Sequence, residues 1–165
     1  NRGNYDLNAH QNSSGKDLRY FDPNSDNKFT PSVIEPAGGL TRTLFAVLLS
    51  LYEEEELEKE VRTLFKFKFD LAPIQIGILP LSKKEELIEV CNSIKSELGP
   101  YFRTEIDVTQ SIGKRYRRQD EIGTPYCITV DFDTLEDKAV TVRDRDSMSQ
   151  ERIKIEDIKS YFDNM

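Results

Sequence analysis

A cluster of basic side chains lies in the second half of the chain. Four cations occupy five consecutive positions around Tyr116, namely Lys114, Arg115, Arg117 and Arg118. The whole chain has a formal net charge of -7, so the cluster runs against the overall balance. Guanidinium and ammonium groups held close together are well suited to phosphate oxygens. The cluster therefore predicts a local phosphate-binding surface.

Helical spacing would place the cluster on one element. A helix over residues 112–121 puts Arg115 and Arg118 on one face, three positions apart. The same helix would carry the polar residues Gln119, Asp120 and Glu121. The alternative is that the cations pair with nearby carboxylates and form only a solvated charged surface. Composition alone leaves both interpretations open.

A second group suited to anion binding comprises Gly38, Gly39 and Arg42. Two glycines before a predicted helix let an anionic ligand approach the free N–H groups at the helix N-terminus. Arg42 would add a planar donor fork one turn into that helix. The alternative is a tight turn followed by a surface arginine. The residues alone favour that alternative, because two glycines often precede a helix.

The basic cluster belongs to a longer pattern. The stretch from Ser111 to Phe132, with Asp131 to Leu135 and Val142 to Asp146, closely resembles the anticodon-binding domain of dimeric-type glycyl-tRNA synthetases. The match is long and nearly ungapped, so it is far more specific than a short motif. On this resemblance we expect a glycine-specific tRNA to contact Lys114, Arg115, Arg117, Arg118, Gln119, Asp120 and Glu121.

The glycine-rich turn also fits this resemblance. The pattern Glu-Pro-x-x-Gly-x-x-Arg, from Glu35 through Gly39 to Arg42, resembles the third motif of class II synthetases. The resemblance implies that Glu35 binds the amino group of glycine. It implies that Arg42 is catalytic and binds the ATP triphosphate, with Glu35 and Gly39 in the same ATP site. Ala37 stands where the family has a serine, so that hydroxyl contact to glycine is not expected.

The resemblance implies a glycine–tRNA ligase that uses ATP and Mg²⁺ and acts as a cytoplasmic homodimer. Class II motifs 1 and 2 are not found in the 165 residues, and the chain does not begin with Met. We therefore expect a fragment that does not aminoacylate by itself. Two alternatives are a non-catalytic, synthetase-like accessory subunit of a mitochondrial DNA polymerase and a protein-interaction α/β module.

The first 60 residues contain segments that differ in polarity and hydrophobic spacing. Residues 1–30 are polar and show no sustained hydrophobic periodicity, which predicts a loop or a piece of a larger domain. We expect His10 to be exposed in this region. A short apolar strand at 31–34 and the glycine turn lead into a predicted helix with apolar positions Leu40, Leu44, Val47 and Leu51. Six glutamates between Glu53 and Glu60 predict a solvated linker or hairpin tip.

We expect residues 1–60 to be the C-terminal part of an antiparallel-sheet class II catalytic domain and residues 61–70 a connecting segment. Residues 71–165 would form the anticodon-binding domain, an α/β fold with a small mixed, mostly parallel sheet flanked by helices. Alternating aromatic and basic residues from Leu64 to Phe69 predict a strand with one buried face, and an RNA-stacking surface is the alternative.

The predicted element order in the last domain is β-α-β-α-β-β-β-α. Its strands cover Ile74 to Pro80, Thr104 to Val108, Tyr126 to Phe132, and a hairpin of residues 139–143 with 152–155. An amphipathic helix with Leu87, Cys91, Ile94 and Leu98 would begin in a capping box from Ser82 to Glu85. A terminal helix is expected from Glu156 to Phe162. Two β-α-β units favour right-handed crossovers.

Composition excludes several classes of protein. The longest apolar run, Leu44 to Leu49, is far shorter than the roughly 20 residues needed to span a bilayer. One histidine and two distant cysteines do not form a metal-binding motif. Cys91 and Cys127 lie in apolar patterns, which predicts reduced core thiols.

Overall fold

A computed structural model describes residues 1–58, 60–163 and 165. The chain divides into a first unit, Asn1–Leu44, and a second unit, Phe45–Met165. Helix α2 (Leu40–Leu51) includes residues of both units. The predicted α2 is confirmed, but the apolar residues that defined it stay accessible, with Leu40 84% and Leu44 56% exposed.

The first unit contains more regular structure than its sequence predicts. Helix α1 (Tyr5–Ser14) precedes an antiparallel pair of strands, β1 (Tyr20–Asp22) and β2 (Asn27–Phe29). The prediction of loop over this region was wrong, because α1 buries none of its residues and so leaves no apolar period. The strand predicted at 31–34 is reduced to a single bridge between Gly3 and Val33.

An acidic hairpin opens the second unit after α2. Strand β3 (Tyr52–Glu56) pairs antiparallel with β4 (Val61–Phe65), and Leu57 N–H donates to the Glu60 carbonyl across the tip. Of the two interpretations of the glutamate run, the structure therefore supports a hairpin. Lys66 forms ion pairs with Glu53 and Glu55, which reduces repulsion along β3.

The aromatic segment after β4 belongs to the core. Phe67 is buried, and Phe69 lies in a 3₁₀ turn, Phe69–Leu71, where its ring packs against Phe102, Tyr126 and Phe162. These contacts support the predicted buried face and not the alternative of an RNA-stacking surface. The strand ends at Phe65, four residues earlier than predicted.

A mixed five-stranded sheet forms the centre of the second unit. Its order is β6-β5-β7-β8-β9, built from β5 (Ile76–Pro80), β6 (Thr104–Ile106), β7 (Tyr126–Val130), β8 (Ala139–Asp144) and β9 (Gln150–Lys154). Strand β5 is parallel to both β6 and β7, whereas β8 is antiparallel to β7 and β9. The predicted α/β class and the C-terminal hairpin are therefore confirmed.

The helices of the second unit are α3 (Glu85–Leu98), α4 (Ile112–Ile122), α5 (Asp133–Asp137) and α6 (Ile158–Phe162). Leu87, Cys91, Ile94 and Leu98 of α3 are buried, as its period predicts. The predicted capping box is absent, because Lys84 is the N-cap and its side chain makes no capping hydrogen bond. The short α5 was not predicted.

The two thiols lie in this core. Cys91 and Cys127 are both buried and free, which agrees with the prediction of reduced core residues. Burial raises the pKa of both thiols to about 12, because a thiolate would lose its hydration there.

Candidate functional site

The basic cluster lies on α4, which begins and ends close to the predicted limits. Gly123 ends the helix in the left-handed region at φ 85°. A Cβ atom at Gly123 would collide with the Phe67 ring and lie 2.9 Å from the Phe65 carbonyl oxygen. Glycine is thus required both by the backbone conformation and by the close approach of the last residue of β4 and of Phe67 after it.

Arg115 lies inside the protein, and our expectation that it is an exposed cation was wrong. Its side chain donates to the carbonyl oxygens of Thr109 at 3.1 Å, Gln110 at 2.8 Å and Val108 at 3.2 Å, and also to that of Pro80. The residue is 2% exposed. Arg115 therefore satisfies the carbonyl groups of the turn before α4 and joins that turn to the end of β5.

Arg118 is partly exposed and is held by a carboxylate. Its Nε and Nη2 atoms lie 2.8 and 2.6 Å from Asp107 Oδ2, and Nη2 also donates to Thr109 Oγ1 at 2.8 Å. Burial raises the pKa of Asp107, but hydrogen bonds from Thr109 and Arg118 outweigh that effect and bring the pKa below its ordinary value. Arg118 keeps a 36% exposed side chain for further contacts.

Gln119 and Asp120, both expected to contact RNA, are each 1% exposed. Gln119 Oε1 accepts a hydrogen bond from Thr124 Oγ1 at 2.7 Å. Asp120 lies between two arginines, with Arg62 Nε at 2.9 Å and Arg143 Nη1 at 3.0 Å. The expectation of an accessible surface at these two positions was wrong, since both side chains are buried and form hydrogen bonds to other residues of the second unit.

Arg62, Arg143 and Arg145 are buried residues that our sequence reasoning missed. Arg62 also donates to Glu55 Oε2 at 2.8 Å and to the Arg145 carbonyl at 2.6 Å. Arg143 stacks over the Tyr116 ring at 4.8 Å from its centroid. One signal was available in the sequence, because Arg62 lies two positions before Leu64 and so shares its inward face of β4.

The accessible part of α4 is smaller than predicted. Lys114 and Glu121 are exposed and Arg117 is half-buried. A cleft of about 410 Å³ runs along this side of the helix, lined by Glu60, Ser111, Lys114, Tyr116, Arg117 and Arg143 among others. A neighbouring depression of about 320 Å³ brings Lys114, Arg117 and Arg118 together with Gln110 and Glu121. The side chains of Lys114, Arg117 and Arg118 are therefore the cations that this surface offers to an anionic ligand.

Glu35 lies in a separate cleft, within the first unit. This cleft of about 520 Å³ is lined by Arg2, Asp6, Leu7, His10, Val33 and Glu35. Arg2 Nε lies 3.6 Å from Glu35 Oε2, and Arg2 Nη2 donates to Asp6 Oδ1 at 3.1 Å. His10 is exposed, as expected, although on a helix instead of a loop. The Glu35 carboxylate is thus accessible to a small cation.

Gly39 and Arg42 lie at the start of α2 and are not among the described residues that line the Glu35 cleft. The Gly39 carbonyl accepts the Thr43 N–H at 2.9 Å, which forms the first turn of the helix. Arg42 is exposed. In this chain Glu35 and Arg42 thus lie on either side of a glycine turn.

Among residues 1–58, 60–163 and 165, no group of three or more His, Cys, Asp or Glu side chains is arranged to hold a metal ion. In the same part of the chain, no helix has both the length and the apolar character that crossing a membrane requires.

Part of the chain matches a known family. Residues 75–165 match the family described as "Anticodon binding domain". These residues contain the whole mixed sheet and the helix α4.

Curated relatives match almost the whole chain. The glycine–tRNA ligase of Lachnospira eligens is 56% identical over 99% of this chain and 35% of its own length. That of Clostridium acetobutylicum is 54% identical over 98% of the chain, and that of Nocardia farcinica is 48% identical over 98%. The chain spans about a third of the length of these relatives, 35% to 36%.

Solved structures share the fold over about three fifths of the chain. The RNA-binding domain of threonyl-tRNA synthetase from Cryptosporidium parvum has a TM-score of 0.56 and 28% identity, covering 61% of this chain and 25% of that one. Prolyl-tRNA synthetase from the same organism has a TM-score of 0.57 at 24% identity, covering 62% and 22%, which is evidence for the fold alone. The chain therefore belongs to the anticodon-binding-domain family, and over nearly its whole length it is similar to glycine–tRNA ligases.

Proposed function

We propose that this chain is part of a glycine–tRNA ligase and that its second unit binds the anticodon of a glycine tRNA. The observation that carries the proposal is the family match over residues 75–165, within which α4 presents Lys114, Arg117 and Arg118. All three relatives named above are ligases, which favours this function over a polymerase accessory subunit or a protein-interaction module.

In the proposed RNA contact, cationic side chains of α4 bind phosphates of the RNA. Lys114, Arg117 and Arg118 would bind phosphates of the single-stranded anticodon loop, whose bases are splayed out and stacked. Glu121, exposed beside them, could accept a hydrogen bond from a base edge. In this scheme Arg115, Gln119 and Asp120 position α4 from inside the protein.

The proposed reaction uses the first part of the chain. The glycine carboxylate attacks the α-phosphate of ATP, which yields glycyl-adenylate and pyrophosphate. A terminal ribose hydroxyl of the tRNA then takes the glycyl group, and AMP leaves. We assign the glycine ammonium to Glu35, because its exposed carboxylate lines a cleft of the first unit. Arg42, exposed one turn after Gly39, would bind the triphosphate.

The remaining elements of the proposal concern the whole ligase. Residues 1–60 would belong to its catalytic domain, and residues 71–165 would form its anticodon-binding domain. Residues 61–70 would connect the two domains. Mg²⁺ would accompany ATP in the complete protein and would neutralise phosphate charge there. We further propose that the ligase is a cytoplasmic homodimer.

The experiment that tests the RNA-binding role uses the 165-residue chain and a labelled anticodon stem-loop of a glycine tRNA. Fluorescence anisotropy at several salt concentrations should show that Lys114→Ala weakens binding and makes the slope of log K against log salt shallower by about one. Lys83→Ala removes an exposed lysine from another part of the unit and should leave both quantities unchanged. Equal affinities and slopes for the wild type and both variants would overturn the proposed site.

A further inference from the structure

Arg117 is engaged by a carboxylate from a distant part of the chain. Its guanidinium forms an ion pair with Glu60, which lies 57 residues earlier, at the tip of the acidic hairpin and directly before β4. Both side chains remain accessible, with exposed fractions of 30% for Arg117 and 57% for Glu60. Both also line the cleft along α4. The pair therefore occupies the surface to which we have assigned RNA binding.

The hairpin is held beside α4 by a buried contact and does not depend on this exposed pair. Arg62, two positions after Glu60, is 0% exposed and bonds both Asp120 of α4 and Glu55 of β3. Asp120 follows Arg117 by three positions, so the two residues share one face of the helix. The buried pair thus brings Glu60 to Arg117 and keeps it there.

The exposed pair contributes little to folding. A pair accessible to water is worth ~0 to 1 kcal/mol, whereas removing one partner of a buried pair costs several times more. A role in stability therefore does not account for a carboxylate placed on an accessible arginine of the helix. The chemistry of the contact indicates a different role, because an arginine fork binds a carboxylate and a phosphate in the same geometry.

We propose that Glu60 acts as an intramolecular phosphate mimic that masks Arg117 until RNA displaces it. The inference rests on the proposed function of α4 as a phosphate-binding helix. One phosphate replaces one carboxylate at Arg117, so this exchange alone gains little free energy. Displacement becomes favourable when the same RNA also reaches Lys114 and Arg118, which lie in the adjoining depression. The mask therefore disfavours isolated anions and favours a ligand that spans all three cations.

The test measures binding of the glycine anticodon stem-loop by the 165-residue chain at 0.15 M salt. Glu60→Gln removes the competing charge and should tighten binding about two- to five-fold, the range of an exposed ion pair. Glu58→Gln is the matched control, because it removes one negative charge from an exposed residue of the same hairpin that does not line the cleft. It should change the affinity less than about 1.5-fold, since Glu60 and not Glu58 is the carboxylate paired with Arg117.

A double-mutant cycle identifies the partner of Glu60. In an Arg117→Gln background, Glu60→Gln should have no further effect on binding. If Glu60→Gln tightens binding no more than Glu58→Gln, or if its gain persists without Arg117, the mask is overturned while RNA binding stands. If the wild type and every variant fail to bind the stem-loop, the proposed function itself is overturned, and the mask falls with it.

Discussion

Helix α2 is largely apolar, yet among the described residues it buries none of its own, whereas the strongly charged α4 buries Arg115, Gln119 and Asp120. The difference lies in the available partners. Arg115 meets carbonyl oxygens and Asp120 meets two arginines, so the polar groups of both side chains have hydrogen-bond partners inside the protein. Burial in α4 thus follows the contacts that the tertiary structure provides, and hydropathy alone does not predict it.

The largest expected effect comes from removing the buried anion of α4. Asp120→Asn removes the buried carboxylate between Arg62 and Arg143, although Arg62 keeps its pair with Glu55. We therefore expect the free energy of unfolding to fall by about 3 to 5 kcal/mol. Leu49→Ser in α2 changes a residue that is 62% exposed and should alter stability by less than about 0.5 kcal/mol. Urea denaturation followed by circular dichroism measures both.

The neighbouring Glu121→Gln variant is the control for charge removal on α4. Glu121 is exposed, so this variant should also stay within about 0.5 kcal/mol of the wild type. If Asp120→Asn were as stable as Glu121→Gln, the buried network would contribute nothing, and the contrast between α2 and α4 would disappear.

A smaller effect is expected for the arginine that holds the turn before α4. Arg115→Ala leaves buried carbonyl oxygens without donors and should cost about 2 to 3 kcal/mol of stability, read from the urea midpoint. Lys114→Ala, next to it on the exposed side, should cost less than about 0.5 kcal/mol. Equal stability of the two variants would mean that Arg115 is an exposed cation, as its sequence context first indicated.

The smallest effect concerns pH and the Asp107–Arg118 pair. Because the folded protein lowers the pKa of Asp107 below 3.8, its contribution to stability is complete above the unfolded pKa and is lost as pH falls through the folded pKa. Asp107→Asn should therefore be less stable than the wild type at pH 7, with the difference shrinking below about pH 4. A difference that stays constant between pH 7 and pH 3, measured by urea denaturation, would show that this carboxylate does not titrate with folding.

Much of the second unit could be predicted because its signals are local. The apolar period of Leu87, Cys91, Ile94 and Leu98 defined α3, and the helix predicted over residues 112–121 is α4. The alternation from Tyr126 to Val130 defined β7. In the first unit, α1 buries no residue, so no period could reveal it.

The sequence by itself determined most helices and strands of the second unit, its α/β class and the location of the basic cluster, but not the short α5 or the bounds of β4. Only the tertiary structure decided which cations of that cluster face solvent. Arg115 and Asp120 turned inward because their partners, the Pro80 carbonyl and Arg62, come from segments 35 and 58 residues away. Spacing along one helix defines a face of that helix. Which face becomes buried depends on the charges and carbonyl groups that distant strands bring against it.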